Sequence, residues 1–493
     1  MAVNVDVSDI GTRENRLGSI TGYIGNLNDL ASRSKNNTLR GCDRCFSQSS
    51  SCLNGCVLPM LGQMCDVAVI LHGPAGCSSN GSNQGTKTIA EQLGIKNTSV
   101  YVGTDVNEKD TIFGSSDKLK DIILEVNRRY KPNAIFVGNA CATGIIGEDI
   151  ESVVEEVRSE IDVPIVATHC EGFKSRIWAS GFDIQDQAVL QSGIIQPPKQ
   201  KRNTVVFKNF FNSARQEITD IFARIDLKPV FLWTNTSVEE VSHLSEATCT
   251  TSVCGTLGNY LGNALEELYG VPYIRTINAC GITGFEAWFR EIAKVAGKEK
   301  EAEEYIAEQR AIYIPRLEEL KKELEGKTAV IGMGPGYTFE VTRVLDELGM
   351  KVLWGLAWHY DKKYEDGQVP PAMEYLLDND INFDVAVSDQ QNYEVMNILN
   401  KYHPDIYLSR HPGSTVWATK QGTPAYFVGD EYEIFGYKHT VEFAEGLVYA
   451  MKNRSFEENM AKHSKLPYTK WWYEQNIDSF FESGEKRNNN TSI

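Results

Sequence analysis

Short apolar runs alternate with amphipathic stretches along most of the chain. The runs Val67–Leu71, Val100–Gly103, Ala134–Gly138, Ile165–Thr168, Thr204–Phe207, Val230–Trp233, Thr328–Gly332, Val352–Gly355, Val385–Ser388, Ile406–Ser409 and Tyr426–Val428 are too short for helices. Their lack of polar alternation is what strands buried on both faces of a parallel sheet require. Between them, apolar residues recur at helical spacing, which predicts helices at Asp117–Arg129, Asp149–Glu160, Tyr260–Leu268, Phe285–Val295, Glu299–Glu325, Phe339–Leu348 and Val441–Met451. Strand and helix in this rhythm predict an α/β chain whose parallel sheets are covered by helices on both faces.

The pattern breaks at the polar stretch Gln196-Pro-Pro-Lys-Gln-Lys-Arg-Asn203 and again after the charged helix before Gly326. We therefore expect an N-terminal arm and first α/β domain over 1–203, a second over 204–326, a third over 327–451, and a tail over 452–493 that carries Trp471, Trp472 and Tyr473. The 493 residues suit this division, at about 150 residues per domain. A net charge of −17 argues against nucleic acid and anionic membrane surfaces as partners. No run approaches the length of a membrane span, and the opening residues lack a basic-then-apolar leader. A cytoplasmic location is the expectation.

The cysteines change the picture. Of eleven, six come early (Cys42, Cys45, Cys52, Cys56, Cys65 and Cys77), and Cys141, Cys170, Cys249, Cys254 and Cys280 follow. An odd number without a leader argues against a disulfide framework and for thiolates that hold metal or carry redox chemistry. Ligands of doubly wound sheets sit at the carboxyl ends of the strands. Cys77 follows one strand in His72-Gly-Pro-Ala-Gly-Cys77, Cys141 follows another in Gly138-Asn-Ala-Cys141, and His169-Cys-Glu-Gly172 follows a third. Iron–sulfur clusters need thiolates on loops whose backbone can approach the sulfides, and glycine permits that approach. Cys52 and Cys56 flank Gly55 in the same way.

Other readings of these residues are blander. Cys65, Cys170 and Cys280 suit small buried core positions equally well. Cys42-Asp-Arg-Cys45 would be half of a zinc site, but no second such pair exists. The Gly332-Met-Gly-Pro-Gly336 loop lacks dinucleotide spacing, and there is no Walker A sequence. His359, His411 and His439 suit structural roles as well as metal ligation.

Several blocks in register carry a resemblance. His72-Gly-Pro-Ala-Gly-Cys77, Cys141-Ala-Thr-Gly-Ile-Ile-Gly-Glu-Asp-Ile-Glu-Ser152, His169-Cys-Glu-Gly-Phe173, and Cys254 followed by Tyr269-Gly-Val-Pro272 resemble the α subunits of nitrogenase component 1, over about Leu39 to Met451. The resemblance implies three Rossmann-like domains with cluster sites between them. It implies an α2β2 assembly with a homologous β-like subunit, and an ATP-dependent, Fe-protein-like reductase that docks on it. Electrons would pass through an interface Fe–S cluster, P-cluster-like with eight or four irons. They would reach a buried iron–sulfur cofactor cluster related to the nitrogenase cofactor, its heterometal open. Carried over, Cys77 and Cys141 match two interface ligands. The third is Cys42, which has the family neighbourhood Leu39-Arg-Gly-Cys42, or Cys52, which has the family distance to Cys77; Cys52 is favoured. Cys254 matches the cysteine that holds the cofactor.

Departures from the family pattern carry information too. Gly85 replaces an arginine, Trp178 and Phe182 replace a glutamine and a histidine, the loop Gly334-Pro-Gly336-Tyr337-Thr338 lacks arginines, and Gly429 falls where a histidine ligand is expected. A buried polyanionic cluster needs compensating donors, so these losses imply a different cofactor or substrate. The chain looks most like the methylthio-alkane reductases, which cleave C–S bonds of small thioethers. On that reading a small organic substrate sits in an apolar pocket shaped by Trp178 and Phe182. His411 or His439 supplies the missing cofactor ligand, and His169, Glu171 or Lys174 supplies protons. A scaffold for cofactor maturation, which the run Cys77-Ser-Ser-Asn-Gly-Ser-Asn-Gln-Gly-Thr86 resembles, is the alternative. A nitrogenase proper stays open beside it, and a tetrapyrrole reductase, which has no need of Cys254, is third.

Overall fold

The computed structural model describes residues 3–41, 43–44, 52–79, 84–209, 214–364, 368–388, 392–410, 412–429, 431–476 and 481–482. Every predicted strand and helix forms, with ends moved by a few residues. The chain folds into two compact units, Met1–Arg13 with Ser51–Ile274, and Glu14–Ser50 with Arg275–Ile493.

The first unit holds two parallel sheets. One runs Val100–Gly103, Val67–His72, Ala134–Asn139, Ile165–Thr168 across the sheet. Its central strands are buried at every residue, as strands covered on both faces must be. Helix Ser116–Tyr130 lays Leu119, Ile123 and Val126 on one face. Helix Ile150–Val157 adds Ile150, Val153, Val154 and Val157 to the same core against Ala68, Ile70, Ile135 and Val137. Asp149 caps the second helix by accepting from Ser152 N at 2.9 Å. The other sheet runs Lys228–Leu232, Thr204–Lys208, Cys249–Ser252. Cys249–Ser252 was not expected from the apolar pattern, because Cys-Thr-Thr-Ser contains no aliphatic residue. All four are nevertheless buried, and β-branched threonine suits a pleated surface.

The second unit is built on one six-stranded sheet, in the order Gly22–Asn26, Asp384–Ser388, Lys351–Ala357, Thr328–Met333, Ile406–Ser409, Ala425–Phe427. All neighbours are parallel except the first pair, where Gly22–Asn26, from the stretch read as an arm, adds an antiparallel edge. Helix Pro335–Glu347 starts directly after the central strand, with proline in its first turn where no backbone N–H is needed. The buried Arg343 on this helix pairs with Glu340 at 3.1 Å and donates to Cys280 O. The tail packs on its own unit: Asn397 Nδ2 donates to Trp472 O and Gln475 O at 3.0 Å each. Among the described residues no helix is long and apolar enough to cross a membrane.

In each parallel sheet the strand order reverses once. The reversal lies between Val67–His72 and Ala134–Asn139, between Thr204–Lys208 and Cys249–Ser252, and between Thr328–Met333 and Ile406–Ser409. Such reversals leave a crevice at the carboxyl ends of the two strands, the usual place for ligands in this architecture.

Helix Gly255–Tyr269 leaves the second crevice so tightly that Gly258 lies on Ser252, and a Cβ there would overlap Ser252 Cβ and come within 2.6 Å of its Oγ. Gly258→Ala should therefore destabilise the protein by about 1–3 kcal/mol, the scale of overpacking, in spite of alanine's better helix propensity. Denaturant unfolding of the two proteins measures it.

Candidate functional site

Cys77 lies in the short helix Ala75–Ser78 after the strand Val67–His72, and Cys141 opens the helix Cys141–Ile146 after Ala134–Asn139. Both loops leave the first crevice. They cross at Gly73, where a Cβ would overlap that of Ala140, so only glycine fits. Cys52 comes in two residues before helix Asn54–Leu61. A Cβ on Gly172 would stand 2.5 Å from Cys52 Sγ and 3.3 Å from Cys141 Sγ. The Cys77 thiol is pushed up by burial and then by the charges of Cys141 and Cys52. The Cys52 and Cys141 thiols thus flank the Gly172 backbone, and Cys77 lies close enough to feel the charge of both.

Among the described residues no three His, Cys, Asp or Glu side chains converge on a point as a single metal ion requires. An all-thiol set, two of its members against the Gly172 backbone, fits a polynuclear iron–sulfur cluster instead. Cys52 is exposed and Cys77 and Cys141 are half-buried, so this set lies near the surface. Large apolar side chains stand exposed beside it: Phe173 next to Gly172, and Ile145 on the helix that Cys141 opens. Helix Glu108–Phe113 packs on that helix and exposes Ile112 and Phe113.

His72 was absent from the predicted site residues, yet it ties these loops together. It is fully buried, with Nδ1 3.0 Å from Thr104 Oγ1 and Nε2 3.1 Å from Ser115 Oγ. Its carbonyl accepts from Ala140 N at 2.9 Å and from Thr143 Oγ1 at 2.8 Å. Burial holds its pKa below the ordinary value, so it stays neutral. No sequence signal distinguished it from a strand residue.

His169, Glu171 and Lys174 come together as an ion network beside the thiols. His169 Nε2 contacts Glu151 and its Nδ1 lies 3.3 Å from Glu171 Oε1. Lys174 Nζ is 3.2 Å from Glu171 Oε2 and 2.9 Å from Asp9 Oδ2. Asn139 Nδ2 donates to Glu171 at 3.2 Å. The hydrogen bond to Glu151 and then that to Glu171 raise the His169 pKa from 6.5 to about 9. Burial alone would raise that of Glu171, but His169 and Lys174 hold it below the ordinary carboxylate value.

Cys254 stands at the second crevice, buried, as the N-cap of helix Gly255–Tyr269. Its backbone N donates to Ser252 Oγ at 3.2 Å, and Ser252 Oγ lies 3.1 Å from Lys208 O. The positive end of a helix favours a thiolate at this position. Trp178 and Phe182 pack edge to face, 5.0 Å between centroids, at the start of helix Ser180–Gln191.

That helix is buried from Ser180 to Leu190 although it is rich in polar residues. Asp183 takes a bidentate pair from Arg13, at 3.0 and 2.8 Å, and Asp186 pairs with Lys208. Burial pushes Asp186 up to about 6 and Lys208 down. Sequence reading missed Arg13, which lies in the presumed arm, and both aspartates.

The remaining cysteines divide cleanly. Cys170 is buried, with Sγ 3.4 Å from Asn139 O, and burial pushes its thiol and that of Cys56 well up. Cys65 is pushed up to about 11 and Cys249 to about 12, again by burial. His439, on helix Gly436–Lys452, is 3.1 Å from Glu442, and His359 is 3.7 Å from Asp361. Cys42, Cys45 and His411 lie outside the described residues.

Parallel sheets with functional side chains at their order reversals define an α/β protein of Rossmann-like construction. The chain belongs to the nitrogenase component 1 type oxidoreductase family, whose model matches residues 51–452. Over 346 residues it is 31% identical to the nitrogenase molybdenum-iron protein alpha chain of Methanosarcina barkeri, covering 68% of this chain and 64% of that one. Over 444 residues it is 27% identical to the nitrogenase iron-molybdenum cofactor biosynthesis protein NifE of Methanococcus maripaludis, covering 87% of this chain and 90% of that one. The solved structure of nitrogenase Cp1 at pH 5 superposes with a TM-score of 0.68 at 22% identity, over 88% of this chain and 94% of that one, a likeness of fold.

The His169 network has a definite pH signature. A cation whose pKa is raised on folding stabilises fully below its unfolded value, near 6.5, and the gain disappears as pH rises through about 9. The melting temperature of the wild type should exceed that of His169→Gln at pH 6.5, and the difference should shrink to nothing above pH 9. A difference independent of pH would show that His169 is not protonated in the fold.

Proposed function

We propose that this chain is the catalytic, α-like subunit of a nitrogenase-like reductase that cleaves C–S bonds of small thioethers with electrons from a separate ATP-dependent reductase. One observation carries the reading. Thiols stand at two order reversals within a single compact unit, Cys77 and Cys141 near the surface at one, with Cys52 beside them, and Cys254 buried at the other. An electron-relaying cluster has to be reachable by a donor, and a reducing centre has to be shielded from water. The likeness to a nitrogenase alpha chain supports the same division.

Cys52, Cys77 and Cys141 hold the interface Fe–S cluster, with a homologous β-like subunit covering the apolar rim of Ile112, Phe113, Ile145 and Phe173. Cys254 anchors a cofactor cluster related to that of nitrogenase, which when bound supplies low-potential electrons to the substrate. Phe182, on the helix that contacts the one Cys254 caps and packed against Trp178, makes that side apolar, which suits a neutral organic molecule. Reductive cleavage of a thioether consumes two electrons and two protons and yields a hydrocarbon and a thiol. His169 holds a proton at neutral pH, and Glu171 and Lys174 fix the ring that carries it.

A second reading, a scaffold on which a cofactor is matured, is favoured by the NifE likeness, which spans more of both chains than the alpha-chain match. An anaerobic assay of the full complex with its reductase separates the two. Offered dimethyl sulfide-type thioethers, acetylene and dinitrogen in turn, the complex should release hydrocarbon and thiol and form no ammonia. No turnover, together with donation of a cluster to cofactor-free nitrogenase, decides for the scaffold.

The ligand assignment is tested apart from activity. Cys77→Ala, Cys141→Ala and Cys52→Ala should each lose iron and the dithionite-dependent spectral change of the surface cluster, whereas Cys170→Ala should keep both. Full iron in Cys141→Ala overturns the assignment, and a silent Cys52→Ala transfers the third ligand to Cys42.

A further inference from the structure

We infer that Arg13 is a positioning residue for Cys254: its guanidinium, placed between Asp183 and Thr256, fixes the first turn of the helix that Cys254 caps. The inference rests on the reading of Cys254 as a cofactor ligand.

Arg13 is wholly buried, although residues 3–11 before it are exposed or half-buried. Its Nε and Nη2 donate to the two carboxylate oxygens of Asp183, at 3.0 and 2.8 Å. Its backbone N donates to Ser180 Oγ at 3.0 Å. Nη2 also donates to Thr256 O, in the turn that immediately follows Cys254. Asp183 by itself would neutralise the charge. The further bond reaches the turn whose placement sets the thiol.

The opposite side of the Cys254 loop is held in a matching way. Val253 N and Ser252 Oγ each donate to Lys208 O at 3.1 Å. The Lys208 ammonium pairs with Asp186, one turn beyond Asp183 on the same helix. Helix Ser180–Gln191 therefore anchors two basic residues that hold the flanks of the cysteine, Arg13 through its guanidinium and Lys208 through its backbone carbonyl.

Electrostatics gives this arrangement its direction. Buried ion pairs seldom add net stability over apolar packing, so stability is a weak reason for two of them here. The bidentate pair with Asp183 offsets the guanidinium charge, so what Arg13 supplies at Thr256 O is a fixed position for the first turn. A cluster bound through Cys254 needs the thiol held in that same place. Docking of Arg13 and occupancy at Cys254 then favour each other, and the coupling is reciprocal. The rest of the segment is held by lighter contacts: Gln187 Nε2 donates to Asn4 O at 2.9 Å and to Val7 O at 3.0 Å, and Lys174 pairs with Asp9.

The experiment uses the complex purified without oxygen. Arg13→Met should release the buried cluster to an iron chelator about tenfold more readily, the scale expected for a group that supports a metal ligand, while the spectrum of the surface cluster is unchanged. Arg13→Lys keeps the charge and loses the fork, so it should restore part of the retention. In the unaltered protein, amide hydrogen exchange over residues 3–12 should be slower with the cofactor bound than in protein prepared without it, a comparison that holds even if Arg13→Met fails to fold. Retention equal to the wild type, equal loss of both clusters, or exchange indifferent to the cofactor overturns the inference. Cys254→Ala separates the two levels: if it keeps the buried cluster, the reading of the site fails; if it alone loses the cluster, only the role of Arg13 fails.

Discussion

A parallel sheet can close its own backbone hydrogen bonds, but it cannot cover both faces with right-handed crossovers unless the strand order reverses somewhere. At the reversal the two neighbouring strands send their chains to opposite faces, and their carboxyl ends are left open. Cys77 and Cys141 leave the two strands on either side of one reversal, and Cys254 follows a strand at another. In the other unit the reversal lies between Thr328–Met333 and Ile406–Ser409, which puts the glycine loop and Arg410 at its mouth, with the Arg410 guanidinium 4.6 Å from the Tyr337 ring centre.

Between the two thiol sites of the first unit lies helix Ser180–Gln191, which is polar and yet buried. Desolvation of its carboxylates is offset only because cations from outside the helix, Arg13 and Lys208, reach them. The helix also presses Gly181 onto Cys56, in the helix that begins just after Cys52. A Cβ at Gly181 would stand 2.6 Å from Cys56 Cβ, so the two helices can approach this closely only at a glycine. One element thereby packs both on the helix that follows Cys52 and on the helix that Cys254 caps.

The strands and the long helices were legible because burial on two faces demands unbroken apolar runs and burial on one face demands a stripe. Cys249–Ser252 was illegible because its burial is carried by thiol and threonine side chains rather than aliphatic ones. The thiols at the strand ends stood out in the sequence through their glycine neighbours. Their separation into a surface set and a buried one, and the inert burial of Cys56 and Cys170, depend on depth below the surface, which no local pattern records.

By itself the sequence determined the elements, the α/β class and the cysteines at strand ends, since each follows from neighbours along the chain. Only the tertiary structure decided which charges meet. Arg13 reads as part of an arm, and Asp183 and Asp186 read as the polar side of an ordinary helix; nothing near any of them in the chain announces a partner. A buried charge is stable only where a counter-charge arrives through space, and the partners here are 170 residues apart for Arg13 and Asp183 and 22 apart for Lys208 and Asp186.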